Sequence, residues 1–299
     1  MSRTAIARIE IILSMVIFGS IGVFVKYINL PSSFISMCRG LIAFLFMLIA
    51  CLIRKDKINF KTSAKNILLV IFSGAAMGAN WVLLFESYKY TSVAVSTLFY
   101  YFAPVLVIIF SPIILKEKIS IQKVICIIFI LIGMVFTSGI LTSNDKSSFN
   151  VLGLLLAFGA ACLYASIILM NKKNQLGAYE RTTGQMLVAG LVMIPYVFST
   201  EKVSTLTFDT RSVILLLVVC IVHTGIAYIL YFSGMVYLSA QTCGILSYID
   251  PFVAVLCSMF ILLEPFNAFT IIGAILIIGG AVVSEITFKK SLQEKNSCK

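Results

Sequence analysis

One acid stands where acids are costly. Asp250 falls near the middle of an unbroken apolar run, Gln241–Leu263. A charge at the centre of a membrane-spanning helix costs several kcal/mol by insertion scales, so the side chain must face protein or water. At helical spacing Cys243, Ser247, Asp250 and Ala254 form a small or polar stripe, whereas Ile249, Phe252, Val253, Leu256 and Phe260 can meet lipid. An ionisable group so placed can couple solute movement to a proton or bind a cationic solute directly. The structural alternative is a buried carboxylate bonded to a neighbouring hydroxyl.

Arg39 lies within the apolar run Ser33–Ile53, a couple of turns from one helix end. It can bind a substrate carboxylate, pair with Glu86, or snorkel outward with no role. Trp81, Phe85, Tyr100, Tyr101, Tyr228, Tyr231 and Tyr248 sit at middle or outer depth. Two or three of them beside one carboxylate suit an amine or aromatic solute through cation–π and stacking contacts; the others read as lipid-facing or interfacial. The expected substrate-binding set is Asp250, Tyr248, Tyr101, Trp81, Tyr228 and Arg39. Pro104 and Pro251 lack an N–H, so the carbonyls of Tyr100 and Ser247 lose their helical partners. Each proline is therefore a candidate hinge beside a polar site, or a packing kink without a ligand.

Weaker polar signals are His223, Asn80 and Gln185; a lone membrane histidine bonds a carbonyl or relays protons. Gln185 falls where Arg39 falls when the chain is shifted by 146 residues. Glu117 and Glu264 lie outside the apolar runs and precede helix starts with Ser120 and Asn267 as N-caps, a structural role. Of eight cysteines, seven lie inside apolar runs and Cys298 is at the tail, with no CxxC pair and a single histidine in the chain. They read as small apolar packing residues. No metal site and no cofactor is expected. No phosphate-binding Gly-rich loop is present and no loop is long enough for a nucleotide domain, which excludes ATP-driven transport within this chain.

The elements that must position these residues follow from composition. Of 299 residues, 60% are hydrophobic and 12% charged, with a mean hydropathy of +1.06. Soluble domains run at about 45–50% apolar and 25% charged, so lipid must take up much of the apolar surface. Ten apolar runs can span: Ile9–Ile28, Ser33–Ile53, Asn66–Glu86, Ser92–Leu115, Ile121–Ser138, Val151–Met170, Thr183–Ser199, Val213–Tyr237, Gln241–Leu263 and Phe269–Ile286. They are continuous, not alternating, which argues for helices over a membrane barrel. The first is longer than a signal core and lacks a small-x-small cleavage site, so it is kept as a span.

The net charge of +11 does not point to nucleic acid, because the basic residues flank apolar runs. With the N-terminus inside, seventeen of them fall on the inner side: Arg3, Arg8; Arg54, Lys55, Lys57, Lys61, Lys65; Lys116, Lys118, Lys123; Lys172, Lys173, Arg181; Lys289, Lys290, Lys295, Lys299. Five fall outside: Lys26, Lys89, Lys146, Lys202 and Arg211. The positive-inside rule then puts both termini in the cytoplasm.

The chain repeats itself. A shift of 147 residues superimposes Phe85 on Phe232, Tyr90 on Tyr237, Ser92 on Ser239, Tyr101 on Tyr248, Pro104 on Pro251, Ser111 on Ser258, Glu117 on Glu264 and Gly133 on Gly280. In this register Trp81 corresponds to Tyr228 and Asp250 to Ala103. The loop Leu141–Asn150 joins the halves, giving repeats at 1–140 and 151–288 and a cytoplasmic tail at 289–299. Five spans is an odd number, so the second half enters the membrane upside down. The expected fold is an all-α integral membrane protein of ten transmembrane helices in two inverted five-helix repeats. Gly74-xxx-Gly78 and the set Gly273, Gly279 and Gly280 supply close helix crossings.

Over essentially its whole length the sequence resembles the drug/metabolite transporter superfamily, EamA type. The resemblance rests on the ten spans in two halves and on SVAVSTLFYYFAPVLVIIFSPIILKEKIS followed by Gly133. Its counterpart is SAQTCGILSYIDPFVAVLCSMFILLEPFN followed by Gly279–Gly280. Pro104/Glu117 and Pro251/Glu264 meet the family pattern of a proline in the fourth and ninth helices with a glutamate just beyond, and Arg39 fills a position where the family commonly has arginine. The resemblance implies movement of amino acids, amines, sugars or nucleotide derivatives across a membrane.

The expectation is a multi-pass secondary active transporter of the cell membrane, moving a small metabolite by alternating access, with proton coupling through Asp250 as one version. Its partners are a small-molecule substrate and the lipid bilayer; dimerisation is open. The rivals are a membrane-embedded enzyme, which needs a clustered acid/base or metal constellation, and a receptor without transport, which gains nothing from inverted symmetry.

Overall fold

The computed structural model describes residues 2–54, 62–91, 93–137, 150–263 and 268–297, with backbone alone at 53–54, 93–94, 258, 270 and 284–297. Glu264 with Asn267, Lys57, Lys146, Cys298 and residues 141–149 of the joining loop lie outside the described residues.

Among the described residues thirteen α-helical segments follow one another: α1 (Arg3–Val25), α2 (Ser32–Arg54), α3 (Ala64–Ser87), α4 (Val93–Tyr100), α5 (Ala103–Leu115), α6 (Ile121–Thr137), α7 (Val151–Lys173), α8 (Ala178–Thr200), α9 (Thr210–Cys220), α10 (Ala227–Met235), α11 (Ala240–Leu246), α12 (Ile249–Phe260) and α13 (Ala268–Ser297). No strand occurs among the described residues. Among the described residues eight helical stretches are long and apolar enough to cross a membrane, and Ile121–Thr137 and Ile271–Val283 are shorter apolar helices. α13 continues to Ser297, so most of the segment read as a tail is helical.

Polar residues placed before the apolar runs start the helices. Ser2, Ser63, Asn150, Asp209 and Ser239 each accept a backbone N–H from two or three residues ahead at the start of α1, α3, α7, α9 and α11. These caps satisfy donors that the first turn leaves orphaned.

Three of the sequence's continuous runs are interrupted. Ser92–Leu115 breaks at Tyr101–Phe102 between α4 and α5, and Gln241–Leu263 breaks at Ser247–Tyr248 between α11 and α12. Pro104 and Pro251 stand in the first turn of the second piece, where a missing N–H costs least. The Ser247 carbonyl is not left free, as the sequence suggested: it accepts the Asp250 N–H at 3.2 Å. The third run passes through a π-helical turn, Ile221–Ile226, between α9 and α10.

The halves pack in pairs that exchange when one half is swapped for the other. α1 packs on α10 and α12 as α7 packs on α3 and α5, while α2 pairs with α8 and α6 with α13. Gly40 and Gly190 form the α2–α8 crossing, where a Cβ on Gly40 would stand 2.7 Å from Gly190. Gly74 and Gly78 seat α3 on α8, and Gly273 meets Gly133. A Cβ on Gly279 would have nothing within 4 Å, so this glycine makes no such crossing.

Polar contacts mark two ends of the bundle. At one end the Ser33 hydroxyl donates to Glu201 at 2.6 Å, the Asn29 N–H to Ser212 at 3.0 Å and the Tyr196 hydroxyl to Glu86 at 2.6 Å. At the other, Asn174 donates to the Asn66 carbonyl at 3.0 Å and Lys172 to the carbonyls of Met235 and Leu238. There the Glu117 carboxylate accepts the N–H groups of Ala240 at 2.8 Å and Gln241 at 3.3 Å. Glu117 is structural as expected, but the helix it caps is α11 of the other half, not α6.

Candidate functional site

The two helix breaks face a cavity of about 420 Å³, within the size range of small-molecule sites (roughly 300–1,000 Å³). α1 contributes Met15, Phe18, Ile21, Gly22 and Val25, and α2 contributes Ser32, Ile35, Ser36 and Arg39. α3 adds Trp81, Leu84, Phe85 and Tyr88. Thr97, Tyr100, Tyr101, Ala103 and Pro104 come from α4, α5 and the break between them, and Tyr164, Tyr228, Ser247 and Asp250 complete the wall. The cavity reaches toward the end that carries the α1–α2 turn, where Ser32 is exposed. Toward the opposite end the interior is filled by Met15, Tyr231 and Phe232, all at most 1% exposed.

Asp250 sits in the first turn of α12 and is half-buried. The Tyr101 hydroxyl lies close to its carboxylate. Tyr101 belongs to the break in the other half, so the site straddles the two. Behind Asp250, α1 approaches without a side chain between: a Cβ on Gly19 would lie 2.5 Å from the Asp250 carbonyl and 2.7 Å from Val253 Cβ. Val253 therefore packs on α1, and Ile249 and Phe252 pack against core clusters. Of the α12 positions expected to meet lipid, Phe260 is the clear case, at 71% exposure. The break turns α12 out of register with α11, so the periodic stripe drawn across both does not hold as one helix face.

Arg39 lines the same cavity from α2. Its Nε donates to Thr224 Oγ1 at 3.0 Å, and its guanidinium carbon stands 5.1 Å from the centre of the Trp81 ring. Thr224 lies on the π-helical turn and donates to the Val219 carbonyl at 3.0 Å. The pairing of Arg39 with Glu86 is not formed: Glu86 takes Lys89 at 2.7 Å and the Tyr196 hydroxyl instead. Tyr228 is within electrostatic reach of both Arg39 and Asp250 and packs edge-on against Phe18 with ring centres 4.8 Å apart.

Asp250, Tyr101, Trp81, Tyr228, Arg39 and Pro104 thus come together in one cavity. Tyr248 does not line it. That side chain is wholly buried, and its hydroxyl donates to the Tyr101 carbonyl at 3.2 Å, tying one break to the other. Pro251 is buried beside it. Tyr231 is buried too, bonded to Ser247 Oγ at 3.2 Å. Asn80 braces the wall from behind, donating to the Ala160 carbonyl at 2.6 Å and accepting from the Tyr100 hydroxyl at 3.5 Å. His223 lies outside the cavity, bonded to Ser20 at 3.3 Å and against the Phe24 ring. Gln185 is buried with Ser73 and Asn171.

Sequence reasoning does not mark Thr224, Tyr164, Thr97 or Ser247 as site residues. The triplet His223-Thr224-Gly225 inside an apolar run is the available signal for Thr224. Among the described residues no three of His, Cys, Asp and Glu gather as metal ligands would.

Two related sets of apolar helices make this a multi-pass membrane protein, with a partly polar cavity among them. The sequence matches the EamA-like transporter family twice, over residues 6–139 and 151–285, and the chain belongs to that family. It is similar to the uncharacterized transporter YxxF of Bacillus subtilis (strain 168), 31% identical over 93% of this chain and 89% of the relative. It is also similar to the uncharacterized inner membrane transporter YicL of Salmonella typhimurium, 21% identical over 97% and 98% of the two chains. A solved crystal structure 17% identical superposes with a TM-score of 0.84 over 97% of this chain and 99% of the other, a likeness of fold.

Proposed function

We propose that this chain is a secondary active transporter that carries a small metabolite across the cytoplasmic membrane by alternating access. The observation that carries the reading is the cavity at the paired helix breaks, lined by Asp250 and Arg39 and filled in beneath by Met15, Tyr231 and Phe232. A solute site at the interface of two repeats, formed by discontinuous helices, is how many secondary carriers bind their cargo. The exchangeable helix pairings support an inverted arrangement of two five-helix repeats, ten spans in all when the two shorter apolar helices are included. The excess of basic residues at one end supports cytoplasmic termini. In that orientation the cavity faces outward.

The mechanism follows from the contacts. Opening the other side requires α1 to part from α10 and α11, and the helix breaks let α5 and α12 tilt without unwinding. Asp250 is the ionisable group that reads the change: it gives up or takes a proton, or binds a cationic group of the solute, as its surroundings alternate. A membrane-embedded enzyme fits less well, because among the described residues the cavity wall has one carboxylate and no acid/base pair. The test is solute flux into proteoliposomes of the purified protein, screened first for ligands that raise its thermal stability among amino acids, polyamines, quaternary amines and nucleosides. Ligand-dependent flux above protein-free liposomes supports the reading; stabilising ligands that never cross count against it.

A further inference from the structure

We propose that His223 is a proton-binding site behind the cavity wall, and that a proton on its ring and the contact of Arg39 with Thr224 exclude one another. Proton binding there does not depend on whether the chain carries a solute. If it does, the ring gives the proton a place outside the cavity, apart from Asp250.

Hydrogen counting fixes the state of the ring. The Ser20 hydroxyl donates to the Ile17 carbonyl at 2.9 Å, and a hydroxyl has one hydrogen to give. At its 3.3 Å contact with His223 Nε2 it must therefore accept, so Nε2 carries the hydrogen. In the neutral ring that leaves Nδ1 bare. Nδ1 is sealed from solvent without a hydrogen-bond partner, on a side chain only 3% exposed. A buried lone pair with no donor is costly. The Val218 carbonyl lies close to the ring, so a proton on Nδ1 has an acceptor at hand. The charged ring then satisfies both nitrogens at once.

Against the proton stands Arg39, a cation within electrostatic reach of the ring. The same π-helical turn bears His223 and Thr224. The Thr224 hydroxyl gives its hydrogen to the Val219 carbonyl and accepts Arg39 Nε, both at 3.0 Å. The turn packs on α1, α2, α9 and α10. Cys220 on α9 and Tyr228 on α10 are within electrostatic reach of Arg39. Cys38 adjoins it on α2, and α1 has no titratable side chain between Glu10 and Lys26. Thiols and phenols are mainly neutral below about pH 8, so none of these groups supplies an anion to hold two cations together. A proton arriving at Nδ1 therefore drives Arg39 off Thr224, and Arg39 returning drives the proton off.

The chain has one histidine and one tryptophan, so both ends of this link are readable without an added probe. The experiment uses full-length protein in detergent, labelled with nitrogen-15 histidine and freed of its purification tag. The ring nitrogens are followed by NMR between about pH 8.5 and 4.5, the range that brackets histidine titration. At the alkaline end the ring should show a protonated Nε2 and a bare Nδ1, and on acidification both should be protonated. Trp81, whose ring centre is 5.1 Å from the Arg39 guanidinium carbon, should change its fluorescence with the same midpoint. That fluorescence step should vanish in His223→Gln and persist in Asp250→Asn. Arg39→Gln should raise the midpoint of the ring by about one pH unit or more, as removal of a nearby like charge implies. Ser20→Ala should move the hydrogen of the neutral ring to Nδ1.

A ring that stays neutral across the range in folded protein overturns the proposal, as does a neutral wild-type ring protonated at Nδ1. A Trp81 signal that ignores the ring, or one that keeps its step in folded His223→Gln, does the same. Where His223→Gln fails to fold, the coincidence of the two wild-type midpoints and the Arg39→Gln shift decide the matter. Absence of solute flux counts against transport and leaves these titrations standing, and a failed titration leaves flux untouched.

Discussion

Asp250 joins the sequence argument to the structural one, because its repeat counterpart is Ala103 and packing symmetry does not call for an acid. Asp250→Asn keeps size but removes the proton-binding group. If the acid couples, proton-driven accumulation should vanish while exchange of solute survives; if it binds a cation, affinity should fall with flux. Uptake with unchanged pH dependence and unchanged affinity in a folded variant leaves only the structural role. Tyr101→Phe removes the hydroxyl beside Asp250 without removing the ring, so its effect should be the smaller of the two, read as a weaker ligand-induced shift in melting temperature. At this scale the sequence was legible in part. A charge in an apolar run is costly enough to mark Asp250 and Arg39 unaided. Tyr248 was a different matter: it shares its repeat register with Tyr101, yet Tyr101 faces the cavity and Tyr248 is buried against the Tyr101 carbonyl. Repeats related in sequence diverge at the level of side-chain direction, which local spacing does not record.

Among the elements, the half-helices carry the most testable physics. α11 depends on Glu117, which lies more than a hundred residues away and takes two of its orphan N–H groups. Glu117→Gln should lower stability by about 1 kcal/mol, the usual worth of a helix N-cap, measured by thermal unfolding in detergent. No local signal named that partner, because Ser120 and Glu117 together read as the start of the helix that follows. α12 depends on Gly19, where an added Cβ meets the Asp250 carbonyl and Val253. Gly19→Ala should cost about 1–3 kcal/mol by overpacking and weaken ligand binding, since it displaces the backbone that bears Asp250. Gly279→Ala, placed where nothing lies within 4 Å, should do neither. The prolines announced that the helices would be interrupted. Where the chain would turn, and that the Ser247 carbonyl would find the Asp250 N–H, depended on packing across the halves.

For the whole molecule, hydropathy, basic-residue placement and the 147-residue offset made the helical membrane class and the two halves readable before any coordinates. Which end the cavity opens toward was not readable, because it depends on how the helices pack across the halves, which local spacing does not record. The proposed orientation makes a direct prediction. In a parent with its native cysteines replaced, Lys57→Cys and Lys173→Cys should be shielded from an impermeant thiol reagent in intact cells, and Lys146→Cys should label. Labelling of Lys57→Cys from outside reverses the topology and with it the outward-facing assignment.

The central claim is that the cavity is a carrier site and not merely a binding site. Counterflow tests it most directly: proteoliposomes are loaded with an excess of the best stabilising ligand from the screen and diluted into the same ligand, radiolabelled, at trace concentration. The account predicts transient accumulation of label above its equilibrium level, dependent on the protein and blocked by prior thiol labelling of a Thr97→Cys variant in the cavity wall. Label that never exceeds the level in protein-free liposomes, for a ligand that demonstrably binds, would contradict it.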